Sequence, residues 1–235
     1  MEKRRMFYEG KAKKLYETDN PDLVIQEFKD DATAFNAQKR GTIQEKGIVN
    51  NKISARLFEI LEHKGVETHF VKLLSDRDML CKKLQIIQIE VTIRNITAGG
   101  MSKLLGIEEG IVLKEPVYEY HYKSDALEDP LINEYHIRAI NLATDAELEI
   151  VKARSFQVNE ALKAFFGDLG LDLVDFKLEF GRHKGKILLG DEISPDTMRL
   201  WEKGTRKKLD KDRFRRDLGG VEEAYQEVLR RVEKA

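Results

Sequence analysis

The sequence predicts an α+β protein of two lobes, in which antiparallel sheets pack against helices. Segments of alternating apolar and polar residues, separated by tight turns, recur along the chain and predict antiparallel strands. Three longer segments repeat apolar residues at helical spacing and predict helices that pack on those sheets. The residue pattern of the sequence changes near Leu84. We therefore expect an N-terminal lobe over residues 1–84 and a larger C-terminal lobe over residues 85–235.

The composition limits the classes of function. A chain of 235 residues that is 41% hydrophobic can bury a substantial core. Its 41 Lys and Arg residues nearly balance its 42 Asp and Glu residues, and no segment is basic enough to predict a nucleic-acid partner. The first residues lack the apolar core of a signal peptide, and no apolar run approaches the roughly 18 residues of a membrane span. We therefore expect a cytoplasmic protein without a membrane partner.

Cysteine and histidine usage argues against several kinds of metal site. Cys81 is the single cysteine, which excludes a disulfide within the chain and a zinc site built from several cysteines. None of the histidines is spaced as a metal-binding pair or lies near a serine nucleophile signature. We assign all of them to structure or to the surface: His63, His69, His121, His136 and His183.

The N-terminal lobe begins with short strands. Residues 7–16 predict a hairpin around Gly10, and residues 23–28 predict the next strand. Gly10, Lys11 and Lys13 could cover phosphates, although neither GxxxxGK[ST] nor GxGxxG occurs in the chain. An ordinary hairpin with exposed lysines is the simpler interpretation of this segment taken alone.

The rest of this lobe is predicted as a loop, a helix and two strands. Residues 28–47 are polar and show no clear period, which predicts a long loop that is mobile or functional. Over residues 48–63 the apolar side chains fall on one helical face, and Gly65 can end that helix. Residues 70–74 and 79–84 predict strands.

The C-terminal lobe opens with the longest strand candidate, residues 86–94. The small residues that follow, between Arg94 and Lys103, would let the backbone approach an anion closely if a helix begins there. A turn that packs a helix explains these small residues equally well. Residues 118–123 predict a further strand.

Two helices complete this lobe. Thr144 and Glu147 fit a capping box, which predicts the start of a long helix that runs through Phe166. Residues 220–232 repeat apolar side chains at helical spacing and predict an amphipathic C-terminal helix.

Residues 175–201 have the pattern of a functional site rather than of scaffold. The first strand alternates strictly, so Lys177 and Glu179 share one face. If the glycine-rich turn centres near Gly185, Asp191 on the returning strand lies opposite Glu179. Directly opposed carboxylates repel, so a positive group should lie between them. Mg²⁺ suits two carboxylates with room for water and a phosphate oxygen; a solvated face bridged by Lys177 is the alternative, and both interpretations stay open.

Six motifs occur in order along nearly the whole chain. They are YEGKAKKLYE (8–17), DATAFNAQK (31–39), EVTIRNITAGGMSK (90–103), DFKLEFG (175–181), GDEISPDTMRLW (190–201) and LDKDRFRRDLGG (209–220). Together they resemble the SAICAR synthetase family, and six ordered motifs are far more specific than any one of them. The resemblance implies a two-lobed SAICAR synthase-like fold related to ATP-grasp and kinase-like architectures.

The resemblance also implies an activity. Members of this family are Mg²⁺-requiring, ATP-dependent ligases of de novo purine biosynthesis. They join the imidazole carboxylate of carboxyaminoimidazole ribonucleotide (CAIR) to L-aspartate through an acyl phosphate, and they release the succinocarboxamide SAICAR, ADP and phosphate. The implied partners are therefore ATP, CAIR and L-aspartate, with a homodimer as the implied assembly.

By resemblance, individual residues take roles. Glu179 and Asp191 would hold Mg²⁺, and Lys177 would lie near the reacting carboxylate. ATP would be bound by the hairpin, by the linker between the lobes and by one further lysine: Gly10, Lys11, Ala12, Lys13, Lys82, Ile86 and Lys123. CAIR would be bound by Arg94, Gly100, Ser102, Asp196, Arg199 and Arg215, in which the arginine forks match phosphate oxygens.

One position departs from the family. The family usually carries serine where this chain has Gly100. A hydroxyl contact to the substrate phosphate would then be missing, and Ser102 or backbone amides would substitute for it. We expect the aspartate site within residues 31–51, from proximity in the family alone.

Two other functions fit parts of the pattern. A small-molecule kinase would use the same Mg²⁺-ATP site and stop after phosphoryl transfer, although the absence of HRD and DFG argues against a protein kinase. A non-catalytic nucleotide-binding module predicts that Glu179 and Asp191 can be neutralised without loss of any turnover. ADP release measured with and without L-aspartate distinguishes these alternatives from the ligase.

Overall fold

The first sheet is antiparallel and is built entirely within the first 82 residues. A computed structural model describes residues 1–34 and 39–235. The five strands of this sheet lie in the order β1 (Met6–Glu9), β2 (Lys13–Glu17), β3 (Leu23–Phe28), β7 (Asp78–Lys82) and β6 (Phe70–Leu73). The predicted strands of the N-terminal lobe are confirmed.

A small two-stranded sheet replaces part of the predicted loop. Strand β4 (Asp31–Ala34) pairs with β5 (Lys39–Thr42) in antiparallel fashion. The prediction of a loop over residues 28–47 is therefore wrong at these strands. Strand β5 is mostly exposed, so it needs no apolar alternation and gives no strand signal in the sequence. Residues 35–38 lie outside the described residues.

The second sheet is larger, and its central strand carries the site. Strand β11 contains 13 residues and β8 contains 12. Strand β11 is the longer because it begins at Leu171, in the apolar run that precedes the predicted alternating strand. The expectation that residues 86–94 form the longest strand is therefore wrong. The strands lie in the order β10 (Leu131–Ile132), β9 (Val112–Tyr122), β8 (Gln85–Ile96), β11 (Leu171–His183) and β12 (Lys186–Gly190), and β13 (Met198–Glu202) also pairs with β11.

The predicted helices are confirmed, and short ones are added. Thr144 and Glu147 form the capping box, with the backbone N–H of Thr144 donating to Glu147 Oε2 at 2.9 Å. The shortest helices span too few residues for a period to emerge in the sequence. The helices are α1 (Lys46–His63), α2 (Gly99–Leu105), α3 (Glu134–Ala139), α4 (Asp145–Asp168), α5 (Asp212–Arg215) and α6 (Val221–Glu233).

One apolar core joins both sheets to the long helices. Phe28 of β3, Phe58 of α1, Leu178 of β11 and Val228 of α6 are all buried in the same cluster. The division into two lobes at Leu84 stays a prediction. Within the described ranges, no helix combines the length and the apolar character needed to cross a bilayer.

The alternation of β11 positions the site. Phe176, Leu178 and Phe180 are each 1% exposed and belong to the core. Successive side chains of a strand point to opposite faces, so the polar residues between them lie on the other face. Lys177 and Glu179 accordingly line an open cleft.

Candidate active site

Two adjoining cavities lie beside the polar face of β11. The first is a polar cleft of about 420 Å³. The second, of about 490 Å³, has apolar walls that include Val24, Leu84 and Ile86. The residues that line both cavities, and so mark their junction, are Tyr8, Lys13, Lys123, Asp125, Glu179 and Asp191.

The hairpin register differs from the predicted one by one residue. Glu179 pairs with Gly190, so the expectation that Asp191 lies opposite Glu179 is wrong. Asp191 instead follows the strand with a left-handed backbone, at a φ of 60°. A Cβ on Gly190 would lie 2.6 Å from Cδ1 of Leu84, so a larger residue here would require the Leu84 side chain to shift.

The carboxylate that directly opposes Glu179 belongs to Glu90 on β8. The expected positive group between opposed carboxylates is present: Lys177 Nζ lies 2.6 Å from Glu179 Oε1 and 2.9 Å from Glu90 Oε1. The same ammonium lies 3.7 Å from Asp191 Oδ2. Glu179 and Asp191 therefore converge on one cation despite the shifted register.

Two further lysines neutralise this group of acids. Lys123 Nζ lies 2.9 Å from Glu179 Oε1. Lys13 pairs with Asp191 and lies 3.0 Å from Glu192 Oε1. Burial by itself would lower the pKa of Lys177 and of Lys13, but the charges of the neighbouring carboxylates outweigh it and raise both. These ammonium groups therefore stay charged at neutral pH.

Glu179 and Asp191 have the donor chemistry of a Mg²⁺ site. Burial would raise the pKa of Asp191, but the charges of Lys13 and Lys177 hold it well below its ordinary value, so it is an anionic oxygen donor. No cluster of three or more His, Cys, Asp or Glu arranged to hold a metal occurs in the part of the chain that the structure describes. Mg²⁺ commonly takes one or two carboxylates and completes its shell with water and substrate phosphates, so two converging carboxylates fit it.

The β1–β2 hairpin and the linker contribute the residues predicted to bind ATP. Gly10, Lys11, Ala12 and Lys13 line the polar cleft, and the Gly10 N–H donates to the Lys13 carbonyl at 2.8 Å, which closes the turn. The other predicted ATP residues line the apolar cavity at the junction of the two sheets: Lys82, Ile86 and Lys123.

Three arginines are fixed at another part of the cleft by buried carboxylates. Arg199 Nη1 lies 2.8 Å from Asp175 Oδ2, and its Nε lies 3.0 Å from Asp212 Oδ2. Arg94 Nη1 shares Asp175 Oδ2 at 2.8 Å, and Arg215 Nη1 reaches Asp212 Oδ1 at 2.7 Å. Burial would lower the pKa of Arg199, but the two carboxylates outweigh it and raise it. The three guanidinium groups are thus held in place before any ligand arrives.

Asp196 is held between two distant segments. Lys46 Nζ, which is fully buried, lies 2.6 Å from Asp196 Oδ2, and the Tyr225 hydroxyl donates to Asp196 Oδ1 at 2.6 Å. Burial would raise the pKa of Asp196, but Lys211 and Lys46 hold it well below its ordinary value. The Asp196 carboxylate therefore lines the cleft in one fixed orientation.

Gly100 and Ser102 are the predicted residues that line neither the polar cleft nor the apolar cavity. Both lie in α2, and the buried Ser102 hydroxyl has no hydrogen-bond partner within the described residues. A Cβ built on Gly100 would lie 3.8 Å from Arg94 Nη2, so a side chain here would adjoin the arginine cluster.

The substitution Gly100→Ser is expected to be tolerated and to lower the KM for CAIR. The site has ordinary van der Waals room for a Cβ, and the added hydroxyl lies next to Arg94, beside the expected substrate phosphate. Gly99→Ala is the matched contrast: its φ is 55°, and a Cβ would lie 2.4 Å from Arg199 Nη2, so we expect a loss of CAIR binding. Steady-state kinetics and thermal unfolding of both variants test this; unfolding of Gly100→Ser would contradict it.

Several cleft residues were missed by sequence reasoning. Glu90 comes into the site through strand pairing, and Glu192 simply follows Asp191. His69, assigned above to structure or to the surface, is buried in the wall of the apolar cavity. Lys211 lies in the sixth motif and could have been singled out as a lysine between two aspartates.

Comparisons of this chain with a family model and with known proteins indicate the same family. The SAICAR synthetase family model matches residues 6–232. A phosphoribosylaminoimidazole-succinocarboxamide synthase of Caldanaerobacter subterraneus subsp. tengcongensis is 60% identical over 234 residues, which is 100% of each chain.

Solved structures agree in fold. The crystal structure of phosphoribosylaminoimidazole-succinocarboxamide synthase from Ehrlichia chaffeensis has a TM-score of 0.95 at 48% identity, and the match covers 97% of this chain and 98% of that one. A SAICAR synthetase in complex with ADP has a TM-score of 0.93 at 44% identity, with 97% of each chain covered. The fold, the family model and the full-length relatives agree, and the chain belongs to the SAICAR synthetase family.

Proposed function

We propose that this chain joins CAIR to L-aspartate at the expense of ATP and forms SAICAR, ADP and phosphate. The observation that carries the proposal is the cluster of Glu179, Asp191 and three lysines at the junction of an apolar cavity and an arginine-bearing cleft. The apolar cavity suits the adenine base, and the cleft suits an anionic substrate. The junction is then where the γ-phosphoryl group meets the carboxylate of CAIR.

The chemistry explains why ATP is needed. A free carboxylate does not accept an amine at neutral pH, because the leaving group would be oxide. A carboxylate oxygen of CAIR attacks the γ-phosphorus, the bond from that phosphorus to the β–γ bridging oxygen breaks, and ADP leaves. The resulting acyl phosphate has phosphate as its leaving group.

The second step forms the amide. The unprotonated amine of L-aspartate attacks the acyl carbon, the bond from that carbon to the phosphate oxygen breaks, and inorganic phosphate departs. The attacking nitrogen becomes positively charged and loses one proton to solvent or to a basic group, which gives the neutral amide. The released phosphate therefore keeps one oxygen that came from the CAIR carboxylate.

The residues of this chain contribute mainly position and charge. Lys177 lies between Glu179 and Glu90 and would lie beside the reacting carboxylate, where its ammonium stabilises negative charge. Lys11 and Lys13, both on the β1–β2 hairpin, would neutralise phosphate oxygens of ATP. Lys82 and Ile86 would border the adenine, and Lys123 would contact the phosphates at the junction.

Glu179 and Asp191 would hold Mg²⁺. When bound there, the ion would supply charge neutralisation for the transferring phosphoryl group. In the described structure lysines neutralise these two carboxylates instead. When the nucleotide enters, those lysines would turn to its phosphates, and Mg²⁺ would take their place beside the two carboxylates.

CAIR would be oriented by the opposite part of the cleft. Arg94, Arg199 and Arg215 provide forked donors for its phosphate, and Asp196 provides a fixed acceptor for its ribose hydroxyls. Gly100 and Ser102, on α2 beside Arg94, would complete the phosphate site through backbone amides and one hydroxyl. A cytoplasmic location and a homodimer belong to the same proposal and rest on the family resemblance.

ADP release with Mg²⁺-ATP and CAIR, measured with and without L-aspartate, tests the function. We expect sustained ADP release only with all three substrates, in equal amount to the succinocarboxamide product. ADP release that ignores L-aspartate and accumulates a phosphorylated product would support the small-molecule kinase. Absence of turnover under both conditions would support the non-catalytic nucleotide-binding module.

A further inference from the structure

Lys211 differs from the other cations of the cleft. Among the described residues, every other lysine or arginine that lines the cleft has a carboxylate oxygen within 3.0 Å. The nearest carboxylate of Lys211, that of Asp196, lies 3.8 Å away. Its side chain is only 14% exposed, so the ammonium is largely desolvated and still lacks a close counter-charge.

Asp196 has two partners that lie closer to it than Lys211 does. Its Oδ2 already accepts from Lys46 and its Oδ1 from Tyr225, both at 2.6 Å. Two ammonium groups therefore adjoin the Asp196 carboxylate, and the more distant of them, that of Lys211, has no carboxylate oxygen in hydrogen-bond contact. Burial lowers the pKa of Lys211, and the charge of Asp196 does not offset this. An anionic ligand at this point would restore the balance.

We propose that Lys211 binds a carboxylate of the incoming L-aspartate. The inference rests on the proposed function and specifies one of its subsites. CAIR brings one phosphate, which the arginine forks match, and one carboxylate, which must lie at the junction beside Lys177. The two carboxylates of L-aspartate remain, and Lys211 is the cleft cation left without a close partner.

The backbone holds Lys211 in place for this role. Its N–H donates to the Pro195 carbonyl at 3.2 Å, and its own carbonyl accepts from the Arg215 N–H at 3.0 Å. The Lys211 backbone is thus anchored between the loop that carries Asp196 and the short helix that carries Arg215. A carboxylate bound there would lie beside the CAIR site and within the same cleft as the reacting group.

The variant Lys211→Gln tests the proposal. We expect the KM for L-aspartate to rise about 10- to 100-fold, as for loss of a hydrogen bond between charged groups, while the KM values for ATP and CAIR stay unchanged. Succinate, a dicarboxylate without the amine, should inhibit competitively with L-aspartate, and its inhibition constant should rise by the same factor. Lys211→Arg, which keeps the charge, should retain most of the aspartate affinity. Lys207→Gln, an exposed lysine nearby, is the matched control.

Other outcomes would overturn the assignment. A rise in the KM for CAIR alone would place Lys211 in the ribonucleotide site. A fall in kcat with an unchanged KM for L-aspartate, not restored by Lys211→Arg, would make Lys211 a proton acceptor for the amine. If the unaltered protein forms no SAICAR, the proposed function itself fails; if it does and Lys211→Gln binds aspartate and succinate normally, only this inference fails.

Discussion

Replacing Glu179 with glutamine, or Asp191 with asparagine, is expected to abolish ATP turnover while the fold is retained. Each change removes one anionic oxygen donor from the pair that would hold Mg²⁺ and leaves the side-chain shape nearly unchanged. Loss of such electrostatic stabilisation lowers kcat by roughly 10²- to 10³-fold or more. ADP release measured across a range of Mg²⁺ concentrations, together with circular dichroism, separates a lost metal site from a lost fold.

A matched control makes this result specific. Glu149→Gln removes a carboxylate of the same chemistry from the exposed surface of α4 and should leave turnover unchanged. Near-normal turnover in Glu179→Gln or Asp191→Asn would remove the metal assignment.

Arg199→Lys is expected to raise the KM for CAIR by about 10- to 100-fold, because an ammonium cannot reproduce the fork that contacts a phosphate. Lysine is preferable to alanine here, since alanine would leave the buried Asp175 and Asp212 short of a cation. The KM for ATP should stay unchanged. Steady-state kinetics with each substrate varied in turn measures the two effects.

The dephosphorylated nucleoside of CAIR gives the decisive comparison for Arg199. If Arg199 binds the phosphate, Arg199→Lys and the unaltered protein should use this nucleoside equally poorly, because the contact is already absent. Arg230→Lys, on the exposed surface of α6, controls for the change of cation. An equal rise of the KM for ATP and for CAIR would count against a role in binding the substrate phosphate.

The sequence predicts much of the fold because local patterns determine it. The capping box at Thr144 and the alternation along β11 are local, and both are confirmed. Strands β4 and β5 and helix α5 are not predicted because they are too short to show a repeat of apolar residues. Strand β5 is also mostly exposed, so its sequence needs no alternation of apolar and polar residues. Prediction from periodicity fails where little apolar surface is buried.

The site is only partly predictable for a different reason. Glu179 stands out because its strand alternates, but the left-handed backbone of Asp191 and the one-residue shift of register depend on turn geometry. Glu90 enters through the pairing of strands distant in the sequence. The contact of Lys46 with Asp196 joins residues 150 positions apart, and no local pattern announces it.

The fate of the carboxylate oxygens of CAIR tests the central claim most directly. CAIR labelled with ¹⁸O in its carboxylate is incubated with Mg²⁺-ATP and L-aspartate, and the phosphate released is examined by mass spectrometry. An acyl phosphate formed in this cleft predicts one labelled oxygen in each phosphate, in equal amount to the product. Unlabelled phosphate would show that ATP is hydrolysed by water and would contradict the acyl-phosphate mechanism.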